Sequence, residues 1–413
     1  MIGWVQISRR EVARAEQALL GEGKGVRDEI GLLSIHQAIS DRLFPGTSVL
    51  HTRLRYALFV PWLIRRAAAQ HPRSHTTVLR DMELRLTGQL VGAVTEADAG
   101  LRGIIGGRVY KRSGAPAAQP PSFAYWTALS TWHILGAVDT RRGISRDHAM
   151  RILHEATRDQ RHLAKDELGN PIYAAPPLFA GLPDEPPGLL EQGTPMTFVL
   201  TSKEHTFLRN RLLSVMRPGD ERPSLLALLA NKRVGLEADM PWQDARVLAL
   251  VDDSDRKLLR FAEGISALAG IARGVYLAML EEACRKQGLP MTRIHRGRLE
   301  WLVAEYGNAA MRLDLDDRPQ GEVGLDDTHV VALLRATQAW IPKAGSVAGL
   351  KSLYLHCEKK RKNERARLPD TQAADVRRRD WVRYEGTALA DRLHFRWPNV
   401  KRLLNDLHLG NMR

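Results

Sequence analysis

The chain has 413 residues and a formal net charge of +14, from 61 Lys and Arg against 47 Asp and Glu. At 44% hydrophobic, 26% charged and 6% aromatic residues it has the composition of roughly two to three globular domains, which excludes a wholly disordered or fibrous chain. The two cysteines, Cys284 and Cys357, stand far apart and form no CxxC pair, which excludes a disulfide scaffold and a cysteine-rich zinc site and fits a reducing cytoplasm.

Apolar residues recur at intervals of three and four through most long segments, so the expected class is mainly α: multi-helix, bundle-like domains with few or no strands and a basic helical module at the C-terminus. The first ten residues lack the charged, apolar and small-residue regions of a secretory signal. Gly21-Glu22-Gly23-Lys24-Gly25 has neither the order of a phosphate loop nor a preceding strand, and reads as a turn between helices. Pro45-Gly46 makes a turn, Thr47 or Ser48 can cap the next helix, and Leu50, Leu54, Ala57 and Leu58 form its apolar face. Pro61 is expected to kink or break that helix and redirect Trp62, Arg65 and Arg66. These two arginines, with Arg53 and Arg55, are candidate phosphate contacts; alternatively their stems cover aromatic surface and their heads pair with acids.

His71 and His75 flank a proline without an acidic companion and read as solvated rather than metal-binding. Gly100 to Pro121, rich in glycine and proline, reads as a surface loop. Ser145 can cap a helix carrying Ala149, Ile152, Leu153, Ala156 and Leu163 on its apolar face. Seven prolines between Arg161 and Thr201 mark the best domain boundary. Thr201-Ser202-Lys203-Glu204 has the spacing of a capping box. The longest helix runs through Leu258, Ile265, Val275 and Ala283, and Gly264, Gly270 and Gly274 on it allow a neighbouring helix to come close. Its most apolar part, Phe261 to Leu280, carries Glu263 and Arg273 and reads as a buried helix, not a membrane span. Further helices are expected near Asp326 and Ser346. The resulting division is an N-terminal helical domain 1–165, a proline-rich connector 166–200, a central helical domain 201–345 and the basic module 346–413.

No HExxH or GxSxG pattern is present, and no metal or other cofactor is expected. The carboxylates Asp252, Asp253 and Asp255, beside Lys257, give a faint version of a metal-dependent nuclease grouping. Asp252-Asp253, Asp314-Leu315-Asp316-Asp317 and Asp326-Asp327 each precede a helix or occupy a turn, where capping of free backbone N–H groups is the stronger reading.

The charge is uneven. Lys351 to Arg413 holds sixteen Lys or Arg against eight Asp or Glu, a net of +8, leaving +6 for the preceding 350 residues. Clustered cations of this kind can release counterions condensed on a nucleic-acid backbone. A helix from Ser346 through Leu368, ended by Pro369, would place Arg361 and Arg365 one turn apart, with Lys362 following Glu358. The candidate nucleic-acid contacts are Lys359, Lys360, Arg361, Lys362, Arg365, Arg377, Arg378, Arg379, Trp381, Arg383, Arg396, Lys401 and Arg402, in addition to Arg53 and Arg55. Here guanidinium forks mix with the aromatic planes of Trp381 and Tyr384, which can stack on exposed bases. The last helix is expected to start near Pro398 and to bury Val400, Leu403, Leu404 and Leu407.

Phe44-Pro45-Gly46-Thr47-Ser48, Thr52-Arg53, Arg55-Tyr56 and Leu58-Phe59-Val60-Pro61-Trp62 resemble the opening of an uncharacterised bacterial family known only as a domain of unknown function. Arg27-Asp28-Glu29-Ile30-Gly31 and the stretch from Phe395-Arg396-Trp397-Pro398-Asn399 to Asp406 are similar to it as well, so the resemblance spans the chain. It implies a setting beside helicases and other anti-phage or DNA-modification proteins, and it supplies no catalytic residue. The expected function is therefore an accessory nucleic-acid-binding subunit, with DNA as the favoured nucleic acid, in a cytoplasmic defence or DNA-processing assembly. Its partners would be proteins such as a helicase, with no membrane contact and no strong sequence specificity. A protein scaffold with a positive surface, and a divergent nuclease, are the alternatives.

Overall fold

The computed structural model describes residues 28–70, 74–94, 101, 103–136, 144–159, 178–179, 181–319 and 321–409. The Gly21–Gly25 turn, Arg27, His71, Arg161, Leu163 and the prolines Pro171, Pro176 and Pro177 lie outside them. Among the described residues there are fifteen α-helices and no strand, only an isolated antiparallel bridge between Met216 and Pro223. In chain order the helices are α1 (Leu33–Leu43), α2 (Tyr56–Ala68), α3 (His75–Gly92), α4 (Gly107–Ser113), α5 (Pro121–Thr131), α6 (Arg146–Asp159), α7 (Ser202–Leu213), α8 (Leu225–Asn231), α9 (Ala245–Leu250), α10 (Asp253–Lys286), α11 (Ile294–Arg312), α12 (Thr328–Trp340), α13 (Lys351–Lys362), α14 (Gln372–Tyr384) and α15 (Trp397–Leu409).

The chain forms two compact units, and both are discontinuous in sequence. Unit one holds Asp41–Glu237 and resumes at Arg396; unit two holds Ala238–Phe395 with the segment ending at Ser40. This differs from a division at 165, 200 and 345. The residues after 395 part from the rest of the basic module because α15 buries Val400, Leu403, Leu404 and Leu407 and packs on α7 and α8 of unit one.

The centre of unit one is α2, which is buried on every side from Tyr56 to Ile64 and packs on α3, α5 and α6. Such all-round apolarity marks an interior helix. Pro61 does not break it: the helix runs on to Ala68, and burial of the helix from Tyr56 to Ile64 offsets the one backbone hydrogen bond that proline cannot donate. The loop expected from Gly100 to Pro121 contains the short helix α4, packed on α3. The described end of the proline-rich segment is packed rather than a free tether. Gln89 Nε2 donates to the carbonyls of Gly188 and Thr194 at 2.7 and 2.9 Å, its Oε1 accepts the Leu190 N–H at 2.9 Å, and Trp62 Nε1 donates to Pro183 O at 2.8 Å.

Unit two is built on α10, 34 residues long, which runs along α11 and also meets α12. A Cβ at Gly264 would lie 2.9 Å from Leu313 Cβ, and one at Gly274 3.0 Å from Leu302 Cδ1, so these positions do admit a close neighbour. Gly270 faces backbone instead, with the Arg392 Cα and N each 2.9 Å from such a Cβ. The helix is long and apolar enough to cross a membrane, but 89% of its most apolar window is buried inside the protein.

The helix starts follow the sequence closely. Thr201 and Glu204 form both bonds of the capping box, and Asp252, Asp327 and Thr371 accept backbone N–H groups at the starts of α10, α12 and α14. The helix expected through Leu368 ends earlier. Helix α13 stops at Lys362, where Asn363 takes a φ of 46° and a 3₁₀ turn, Asn363–Arg365, follows. Asn tolerates this left-handed region better than most residues, and the turn takes Arg365 off the register it would share with Arg361.

Candidate nucleic-acid interface

The candidate contacts fall into three groups. Five are buried: the cations Arg55, Lys362, Arg378 and Arg396, and the aromatic Trp381. Arg55 Nη2 pairs with Glu204 Oε1 at 2.8 Å while its Nη1 donates to Thr197 O at 2.7 Å. Arg378 Nη1 donates to the carbonyls of Arg367 and Pro369 at 2.7 and 3.0 Å, its Nε donates to Gln287 Oε1 at 3.0 Å, and its Nη2 pairs with Asp375. Trp381, 3% exposed, lies against the His295 ring at 5.3 Å and is closed to any base. Arg396 Nη1 donates to Asp41 Oδ1 at 2.6 Å and to Thr47 O at 2.8 Å. These five cannot meet a phosphate or a base in this fold, because each head group or ring faces protein.

Three more are held by acids at the surface. Arg53 makes a two-nitrogen contact with Asp406, with Nη2 at 2.8 Å, and lies over the Phe198 ring. Lys360 and Arg361 share Asp327 at 3.0 and 3.1 Å. The remainder are Lys359, Arg365, Arg377, Arg379, Arg383 and Arg402, all exposed, and the half-buried Lys401. Lys401 and Arg402 sit on α15 in unit one, and the other five belong to unit two.

Within unit two the outer face of α14 gathers the cations. Ala374, Arg378 and Trp381 point inward at helical spacing, which turns Val376, Arg379, Asp380, Arg383 and Tyr384 outward. Arg379 and Arg383 stand one turn apart, and the Arg383 guanidinium lies 5.1 Å from the centroid of the Tyr384 ring, which is 54% exposed. Arg377 flanks this face, and the turn bearing Arg365 packs on both α13 and α14. Tyr384, rather than Trp381, is therefore the aromatic ring offered to solvent. The 3–4 spacing of Ala374, Arg378 and Trp381 is the signal that separates the two.

Much of the neighbouring positive charge serves the interior of unit two. Glu358, fully buried, accepts the Tyr276 hydroxyl at 2.6 Å and the N–H groups of Arg367 and Leu368 at 2.9 and 2.8 Å. Glu29 is buried and faces Arg273 at 3.8 Å. Burial lowers the Lys362 pKa, against the pull of Glu29, and with Glu358 it holds the Tyr276 hydroxyl well above its ordinary range. A buried carboxylate needs such compensation, which gives part of the Lys359–Arg367 run a structural purpose that composition does not reveal.

The acidic clusters take up local roles. Asp252 caps α10, Asp253 pairs with Arg256, Asp317 with Lys257 and Asp316 with Arg335. No group of three potential metal ligands occurs among the described residues. Cys284 and Cys357 are free and buried, and burial pushes both thiols up to about 11, away from nucleophilic character.

Comparison with protein families matches residues 1–409 to one described as Family of unknown function (DUF6361). The chain belongs to that family. No curated protein and no solved structure matches it. In this DUF6361 protein two of the stretches compared above, Phe44–Trp62 and the one that runs from Arg396 to Asp406, meet inside unit one. Asn399 Nδ2 donates to the carbonyls of Val49 and His51 at 3.0 and 2.8 Å, Trp397 stacks on Phe44 at 5.7 Å, and Asp406 receives the Arg53 head group and the Leu54 N–H. Gly46, at a φ of 75°, brings its turn so close to Trp132 that a Cβ would lie 2.8 Å from the indole nitrogen. In this chain these stretches pack unit one together, and Arg53, Arg55 and Arg396 take part in that packing.

Proposed function

We propose that the chain is an accessory nucleic-acid-binding subunit that holds the phosphate backbone of DNA, without strong sequence specificity, through the outer face of α14. One observation carries the reading: Arg379 and Arg383 remain exposed one turn apart beside an exposed tyrosine, while most of the other candidate residues are buried or matched by acids. Guanidinium groups on a helix face suit phosphate oxygens, and a tyrosine beside them suits an unpaired base. The face presents no further built pattern that would read base edges, so binding governed by charge follows. Placement within an anti-phage or DNA-processing assembly, next to proteins such as a helicase, rests on the family resemblance.

The test is a fluorescence titration of labelled duplex DNA over a range of salt. If Lys359, Arg365, Arg377, Arg379 and Arg383 each neutralise a phosphate, log affinity falls by about 4.5 per decade of salt. The double variant Arg379→Ala/Arg383→Ala should keep its fold and lose about 1.8 of that slope. A salt-independent affinity, or an unchanged slope in the variant, refutes the assignment. A partner protein that stays bound after nuclease treatment and is lost in this variant supports the scaffold reading in its place.

A further inference from the structure

Unit one contains a cavity of about 440 Å³ between α3, the start of α5 and the start of α6. Its lining includes the apolar residues Leu79, Leu84, Met150, Pro116 and Pro121. Three polar groups in the lining are linked to one another. Glu83, 4% exposed, accepts the Ser122 N–H at 2.7 Å and thereby caps the first turn of α5. Arg146 Nη1 donates to Ser122 Oγ at 2.8 Å, and its guanidinium lies 5.7 Å from the centroid of the Phe123 ring. Arg80 lines the same space.

The charges here are not evenly satisfied. Glu83 is engaged by the Ser122 N–H and hydroxyl at the positive end of a helix, and Asp147, also on the lining, pairs with Arg151 at 3.5 Å. Arg146 makes only the one hydrogen bond to Ser122 among the described residues, though a guanidinium carries five donors. Burial lowers its pKa, against the pull of Glu83. Arg80, exposed on α3, adds a second positive head group to this lining.

We propose that this cavity binds a small organic oxyanion, a carboxylate or phosphate monoester borne on an apolar ring, with Arg146 and Arg80 holding the oxyanion and the apolar lining residues holding the ring. The volume falls within the range of sites that enclose small ligands, and an apolar lining with a few convergent polar groups is their usual construction. A fork of guanidinium donors recognises both oxyanions in the same way. The site shares no residue with the α14 face and stands or falls independently of DNA binding.

The experiment titrates the full chain with 1-naphthyl phosphate and with 1-naphthoate, following naphthalene fluorescence, with 1-naphthalenemethanol as the neutral control. Saturable binding of at least one anion, not shared by the alcohol, is the expected result, and which anion binds identifies the oxyanion. Arg146→Ala should weaken that binding by about tenfold or more, the scale of one charged hydrogen bond. Ala118→Trp fills the cavity from an exposed lining position and leaves the polar cluster intact; it should abolish binding with an unchanged circular dichroism melt. Arg379→Ala/Arg383→Ala should bind the probe as the parent does. The proposal is overturned if neither anion saturates, if the alcohol binds equally well, or if the Ala118→Trp protein retains full affinity.

Discussion

Two aromatic residues three positions apart on α14 have opposite environments, and the difference decides what each does. Trp381 is buried against His295, so Trp381→Ala should cost about 3–5 kcal/mol of stability, the range for emptying a large aromatic site. Tyr384 is exposed, and Tyr384→Ala should leave stability within about 0.5 kcal/mol. The same tyrosine variant should bind single-stranded DNA more weakly by about 1–3 kcal/mol while duplex affinity changes little. Urea titration and a pair of binding curves measure all of this; a loss of duplex and single-strand affinity in equal measure would contradict a stacking role. Arginines resist this kind of reading from sequence. Arg378 and Arg379 are adjacent and chemically identical, yet one is fixed on two carbonyls, a glutamine and an aspartate while the other is solvated. Only the phase of the helix distinguishes them.

At the level of elements, local rules worked where the determining atoms are near in sequence. The capping box at Thr201, the aspartate caps at 252 and 327, and the proline at the start of α15 all lie within one turn of the backbone groups they serve. The same rules failed at Pro61, where surrounding core outweighs a local penalty, and at Asn363, where the positive φ is imposed by the turn that follows α13. The glycines of α10 set two effects against each other. Alanine favours a helix interior over glycine by about 1 kcal/mol, but at Gly270 the added methyl would meet Arg392 backbone at 2.9 Å. Backbone yields less readily than a side chain, so Gly270→Ala should lower the urea midpoint, whereas Gly297→Ala on the neighbouring helix α11, with open space at its Cβ, should raise it.

For the whole molecule, the mainly helical class was legible because the 3–4 periodicity is strong and repeated. The division into units was not, since it depends on pairings between residues some 350 positions apart, such as Arg53 with Asp406. Acid sensitivity follows from burial in these units. His51 is enclosed, donates Nε2 to Ala124 O at 2.9 Å, stacks on Tyr125, and has its pKa driven down to about 3 by burial. The unfolded imidazole takes up its proton near 6.5 and the folded one does not until about 3. The stability gained from keeping it neutral is complete above 6.5 and is lost as pH falls toward 3, at about 1.4 kcal/mol per pH unit for the single proton. His295 and His408 act in the same direction, since burial lowers both. Urea midpoints measured at pH 7 and pH 4.5 should differ accordingly, and His51→Gln should narrow the difference; equal midpoints for the parent protein at the two pH values would remove the argument.

The contact of α15 with the 41–53 region has a consequence for biosynthesis. About 160 residues separate Glu237 from Arg396, so a ribosome adding roughly 5–20 residues per second takes on the order of ten to thirty seconds to deliver the closing helix after the rest of its unit has emerged. Throughout that interval Leu54, Phe44 and the Arg53 head group await the partners that only the segment after residue 395 provides. A stop codon between residues 238 and 395 would thus damage unit one, already mostly translated, as well as the unit it interrupts.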